Sequence, residues 1–198
     1  CALPILTQTL KGTKDGVDPL APWNGKPIKQ GSSINEKALN LTADAGGNQL
    51  WGSSLADSLT GSDGNDILIG NRGSDVMSGK GGNDLFVLPT SDWFETDRIT
   101  DFQPKVDKLM LTGLSSDSTL YRALASSNKT IQQSALATVK DDNVALISKA
   151  TLVYSKHTGN LYYNPNQKAL GLGSGGGLMA ILMPNLQLSG ADVLVAPV

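Results

Sequence analysis

The sequence predicts an all-β chain: a solenoid of short strands, preceded by an irregular arm and followed by a β-rich C-terminal region. Three observations predict it. A nine-residue repeat runs in phase from residue 43 to residue 87. The 198 residues include 22 Gly, and their 18 acids are 16 Asp with only Glu36 and Glu95 as Glu. Asp favours turns and oxygen clusters around hard cations, whereas Glu favours helix. The apolar runs after the repeat are short and β-rich, which suits strands better than helices.

Residues 1–33 form the arm. Pro4, Pro19, Pro22 and Pro27 alternate with Gly12, Gly16, Gly25 and Gly31, and no apolar period is sustained. Such a stretch reads as a linker or an arm laid along a neighbouring surface. The chain starts at Cys1 without an initiator Met, so a processed or excised chain is expected. Residues 34–42, INEKALNLT, then read as a capping turn that opens the repeat.

Five frames follow: ADAGGNQLW, GSSLADSLT, GSDGNDILI, GNRGSDVMS and GKGGNDLFV. The first position holds Ala43, Gly52, Gly61, Gly70 and Gly79, and the fourth holds Gly46, Leu55, Gly64, Gly73 and Gly82. Asn48, Asp57, Asp66, Asp75 and Asp84 occupy the sixth, and Leu50, Leu59, Leu68, Met77 and Phe86 the eighth. Six residues of turn and three of strand make half a coil, so two frames close one coil. The eighth residue points inward and stacks into a thin core. The sixth-position Asp then faces its equivalent one coil away, with coils about 4.8 Å apart. Asp66 pairs with Asp84 and Asp57 with Asp75. Carboxylates so close repel unless a cation lies between them, and turn carbonyls complete an oxygen shell suited to calcium. Magnesium fits less well, because it demands stricter geometry and keeps its waters.

GSDGNDILI, GNRGSDVMS and GKGGNDLFV resemble the nonapeptide GGxGxDx(large aliphatic)x of the RTX (repeats-in-toxin, haemolysin-type) calcium-binding family of type I secreted proteins. The segment from Asp97 through Ile99 and Asp101 to Phe102 resembles that family's exit from its repeats. The resemblance implies a parallel β-roll over residues 34–107, holding about two to four calcium ions in its turns. It implies a first site from Ser62, Gly64, Asp66, Gly79, Gly81 and Asp84. A second comprises Ser53, Leu55, Asp57, Gly70, Arg72 and Asp75. A third comprises Asp44, Gly46, Asn48, Gly61, Asp63 and Asp66. Asp97 and Asp101 complete sites beyond the last repeat.

Residues 108–198 read as a β-rich cap. Strand-like runs occur at 108–112, 144–148, 151–155, 161–164, 178–182 and 193–195. LVYSKHTGNLYYN reads as a hairpin, LYRALASS (120–127) as a short helix, and GLGSGGG (171–177) as a flexible loop or a strand edge. The end, ADVLVAPV, resembles the Asp-plus-apolar tail of type I secretion substrates.

Exclusions narrow the function. A net charge of −2 offers no basic field for nucleic acid. No apolar stretch approaches the ~20 residues of a membrane span. One Cys precludes an internal disulfide framework, and His157 as the single His makes a Ser-His-Asp triad untenable. No phosphate loop, nucleophile elbow or zinc-protease motif occurs. The expectation is a non-catalytic, secreted, extracellular calcium-binding module that folds when calcium binds. Residues 43–87 carry six Asp against Arg72 and Lys80, and ten Gly; repulsion and backbone entropy therefore oppose folding at cytosolic calcium. Two other readings stand beside it. One is a structural or adhesive protein docking on a cell surface or assembly through its arm and cap; the other is the C-terminal fragment of a larger secreted enzyme.

Overall fold

A computed structural model of the chain describes residues 28–30, 37–90, 95–114, 129–166, 171–173 and 175–197. Each frame places its strand over positions seven to nine. These strands are β2 (Asn40–Thr42), β3 (Gln49–Trp51), β4 (Ser58–Thr60), β5 (Ile67–Ile69), β6 (Val76–Ser78) and β7 (Leu85–Pro89). They alternate between two parallel sheets, so each strand pairs with the one 18 residues away. Leu50 stacks on Leu68 and Leu68 on Phe86; in the other sheet Leu41 stacks on Leu59 and Leu59 on Met77. Leu50, Leu59, Leu68, Met77 and Phe86 are all fully buried. The chain is a parallel β-roll with a core one side chain deep per layer.

The roll continues past the repeat. β8 (Asp97–Ile99) pairs with β6, and β9 (Lys108–Leu114) pairs with β7. Its sheet is then extended by the C-terminal strand β14 (Val193–Pro197), parallel to β9. The other sheet grows through β13 (Gly177–Ile181), β12 (Asn160–Tyr163), β11 (Leu152–Ser155) and β10 (Leu136–Val139), in that order outward from β8. β11 and β12 form the expected antiparallel hairpin. Leu50, Phe86, Leu109, Tyr154, Met179 and Val195 belong to one continuous core, so no seam separates roll from cap. Ile67, Ile69, Leu85 and Val87 flank the inward residues and, by alternation, bury on the opposite face with Met110 and Leu194.

Three expectations need correction. Part of the arm is regular: β1 (Ile28–Gln30) pairs with β3 and adds a strand to the roll. The 144–148 run is not a strand. Asp141 accepts the Val144 N–H and starts a single helical turn, α1 (Asp142–Ala145), and this cap overrides the β-branched composition. β10 falls in a run too mixed to signal a strand, and is formed by pairing with β11. The strand-edge reading of 171–177 applies to Gly177, which opens β13. The helix expected at 120–127, like residues 1–27 and 31–33 of the arm, lies outside the described residues. Among the described residues, no helix is long and apolar enough to cross a membrane.

Candidate metal centre

The sixth-position acids form two ladders along the turns. In each, Oδ1 accepts the backbone N–H of the residue one coil earlier. One ladder runs from Asn48 to Asp66 (2.6 Å), from Asp66 to Asp84 (2.9 Å) and from Asp84 to Asp107 (3.1 Å). The other runs from Leu39 to Asp57 (2.6 Å), from Asp57 to Asp75 (2.7 Å) and from Asp75 to Asp97 (3.0 Å). Asp57, Asp66, Asp75, Asp84, Asp97 and Asp107 are all buried. A buried column of acids with no basic side chain among its members is costly, because burial and like charge both oppose ionisation. Burial pushes Asp84 and Asp97 up to about 8, with neighbouring carboxylates adding to the effect. Asp75 rises to about 6 for the same reasons, and Asp107 also rises.

The second carboxylate oxygen faces the first half of the same turn. Ser62 N–H donates to Asp66 Oδ2 at 2.6 Å, Ser53 N–H donates to Asp57 Oδ2, and Gln103 N–H donates to Asp107 Oδ2 at 2.7 Å. The first-position glycines make room for this oxygen. A methyl group on Gly61 would meet Asp66 Oδ2 at 2.7 Å and also strike the Gly79 carbonyl oxygen. On Gly52 it would meet Asp57 Oδ2 at 2.6 Å and strike the Gly70 carbonyl. The carboxylate of one turn and the carbonyl of the next coil therefore converge on one point.

The first expected site is thus assembled as a group. Gly79 O lies beside Asp66, Gly81 N–H donates to Ser62 O at 3.0 Å, Gly82 packs on the Gly64 carbonyl, and Asp84 joins the ladder. The second is assembled in the same way around Gly70, Asp57 and Asp75, with Arg72 exposed at the turn. Leu55 does not disturb it. Ser53 Oγ accepts the Leu55 N–H at 3.1 Å, the same turn that Ser62 makes with Gly64, and neither Leu55 nor Gly64 takes a positive φ. The Leu55 carbonyl still abuts Gly73.

The third site differs from expectation. Asn48 Nδ2 donates to the Asp44 carbonyl at 2.8 Å and to the Gly46 carbonyl. Ser62 Oγ adds a bond to Gly46 O at 3.1 Å. Two expected ligand oxygens therefore already accept from an amide of the chain. Gly61 sits against Asp66, as described, whereas the exposed Asp63 faces Gly81.

Beyond the repeat, Asp97 joins its ladder and Asp101 does not. Asp101 instead accepts from Ser78 Oγ (2.5 Å), Gly79 N–H (3.0 Å) and Lys80 N–H (3.0 Å), tying down the last turn. The ladder that runs through Asp66 and Asp84 ends at Asp107, which the sequence pattern did not reveal. The signal was present: Asp107 stands two residues before the buried Leu109, as Asp84 stands before Phe86 and Asp97 before Ile99. Extra residues after Val87 shift the phase and hide it. One layer further, buried Asp192 accepts the Lys105 N–H at 2.7 Å and pairs with Lys108 Nζ at 3.6 Å. Here an ammonium of the chain itself neutralises the acid.

The donor set fits calcium. It is made of carboxylate and carbonyl oxygens, and among the described residues no group of three or more His, Cys, Asp or Glu side chains is placed to cage a metal. Asp75 Oδ2 is buried without a hydrogen-bond partner, which marks a demand for a positive ligand. Ser62, Gly64, Asp66, Gly79, Gly81 and Asp84 would hold one ion, and the corresponding second set another.

No curated protein matches the chain. Among solved structures, it is similar to the AlgE6R3 subunit of the Azotobacter vinelandii mannuronan C5-epimerase, with 22% identity over 85% of each chain and a TM-score of 0.48. Residues 51–86 match the family described as RTX calcium-binding nonapeptide repeat, in four copies. The acid ladders and the glycine-lined turns coincide with this match: residues 51–86 are similar to the RTX calcium-binding nonapeptide repeat, and they fold as a parallel β-roll.

Proposed function

We propose that this chain is a non-catalytic module of a secreted protein whose roll folds when it meets extracellular calcium. The observation that carries the reading is the pair of buried Asp ladders. Six carboxylates are held in turns where burial drives the pKa of four upward. Folding without a counter-ion therefore means protonating these groups or burying unneutralised charge. Extracellular sites commonly bind calcium with Kd values of about 10⁻⁴ to 10⁻³ M, so millimolar calcium would fill them whereas cytosolic calcium would not. Binding and folding then form one event. An unfolded chain suits export through a narrow channel, and folding outside opposes its return.

Circular dichroism during a calcium titration tests this. The expected result is a disordered spectrum in chelator and a β spectrum at millimolar calcium. A fully folded spectrum in excess chelator at pH 7.5 would sink the proposal.

A further inference from the structure

Glu95 faces a turn glycine across one coil. It is one of two Glu in a chain with sixteen Asp. Gly73 N–H donates to Glu95 Oε2 at 2.8 Å across 22 residues, the offset at which Asp75 N–H donates to Asp97 Oδ1 at 3.0 Å. Two acids of one coil, Glu95 and Asp97, are thus bound to the turn that carries Asp75. Glu95 is half-buried, whereas Asp75 and Asp97 are buried.

That turn differs from the two before it. The N–H groups of Ser53 and Ser62 each donate to Oδ2 of the acid in their own turn, Asp57 and Asp66. Their hydroxyls accept the N–H at the fourth position, from Leu55 and Gly64. These turns therefore satisfy their acid and their amides internally. Asn71 holds the second position of the next turn at a φ of 71°, a left-handed conformation that Asn tolerates better than most residues. Its Nδ2 donates to the Gly52 carbonyl at 2.7 Å. Asp75 Oδ2 consequently receives no N–H. It lies over Gly70, where a methyl group would strike it, and it is buried without a partner on a residue that is 1% exposed. The fourth-position N–H, that of Gly73, goes to Glu95 instead. The charge of Glu95 acts on both Asp75 and Asp97. Among the described residues, no Lys or Arg forms an ion pair with any of the three.

We propose that Glu95 makes the layer of Asp75 and Asp97 the tightest calcium position in the roll, adding its charge from outside the oxygen shell. The inference rests on the calcium reading above. Two effects favour a cation here over the Ser turns. No N–H has to give up Asp75 Oδ2, and a third carboxylate strengthens the attraction, since calcium affinity rises with the charge gathered at a site. The three side chains do not converge into a cage, so Glu95 is a positioning charge and not a ligand. Its bond to Gly73 keeps that charge beside the pair.

Calorimetric calcium titration of the full chain tests this. The parent should show one step tighter than the rest. Glu95→Gln keeps an oxygen for the Gly73 N–H but not the charge. It should weaken the tight step at least about tenfold and leave the weaker steps in place. The gap between the two proteins should narrow from about 0.05 M to about 0.5 M KCl, as a charge effect must and a purely structural one need not. Glu95→Asp keeps the charge on a shorter arm and should lie closer to the parent than Glu95→Gln does. Asp141→Asn removes a charge from the cap but preserves the start of α1, and it should match the parent. Circular dichroism at saturating calcium should give all four proteins the same β spectrum. A tight step left intact in Glu95→Gln, an equal loss in Asp141→Asn, or weaker binding in Glu95→Asp than in Glu95→Gln overturns the inference. A parent whose sites are uniform in affinity overturns it while leaving calcium-driven folding standing; a parent that takes up no calcium overturns both.

Discussion

Asp107 accepts the backbone N–H of Asp84 at 3.1 Å across 23 residues, repeating the contact that Asp84 makes with Asp66 at 2.9 Å across 18. The ladder therefore outlasts the repeat. Asp107→Ala leaves the buried Asp84 N–H without an acceptor, which should cost about 1–3 kcal/mol in urea unfolding of the calcium-loaded chain. Asp107→Asn keeps the acceptor but removes the charge. It should recover most of that stability in chelator at low pH while still binding calcium more weakly, as read by calorimetry. Equal behaviour of the Ala and Asn variants in both measurements would refute the ladder role.

Gly61 is irreplaceable for a steric reason, since any side chain there meets Asp66 Oδ2 and the Gly79 carbonyl. Gly61→Ala should abolish the first calcium site and lower the melting temperature of the loaded chain by several degrees, on the order of 2 kcal/mol or more. Gly175→Ala is the contrast. There a methyl would meet Pro165 Cγ at an ordinary 3.6 Å, and the melting temperature should stay within about a degree of the parent.

Asn48 holds the Asp44 and Gly46 carbonyls with its side-chain amide. Asn48→Asp removes that donor and adds a charge opposite Asp66, so the first turn should gain a calcium ion. Calorimetry should show the stoichiometry rise by one, with weaker folding in chelator. An unchanged stoichiometry would mean that the turn is closed for another reason.

The raised carboxylates set a pH window. Asp75 lies at about 6 and Asp84 and Asp97 at about 8, all above the 3.8 of an ordinary Asp. A folded-state value above the unfolded one stabilises the fold fully below the unfolded value, and that stability is lost as pH rises through the folded value. In chelator the chain, disordered near pH 7.5, should therefore gain folded β signal and a measurable melt as pH falls to 5. Calcium must displace the same protons, so its affinity should climb from pH 6 to pH 8. Thermal melts in chelator and calcium titrations at three pH values check both halves. A calcium-free chain that becomes more stable with rising pH contradicts the assignment.

The nine-residue phase alone was enough to place the strands of the frames, the inward column from Leu50 to Phe86 and the acids from Asp57 to Asp84, because each frame obeys one local rule and stacking copies that rule along the axis. The same regularity hid Asp107, since extra residues after Val87 break the phase while the backbone still returns to register. Leu55 departs from the glycine column, yet the turn survives because Ser53 Oγ holds its N–H. Asn48 was visible as a missing charge but not as an internal donor, which depends on where its amide lies.

Outside the repeat the balance reverses. The hairpin of β11 and β12 was readable from its turn residues, whereas α1 was decided by the cap at Asp141 and β10 by its partner strand. That β14 closes the roll beside β9, and that Lys108 meets Asp192, could come only from the tertiary structure: these contacts join residues more than 80 apart. The coil, its core column and its clustering of oxygen ligands were legible without a structure, because they follow from nearest-neighbour periodicity. Packing set where the ladders stop, which turn is held by an amide of the chain, and which buried acid meets a lysine, because no local rule encodes those contacts.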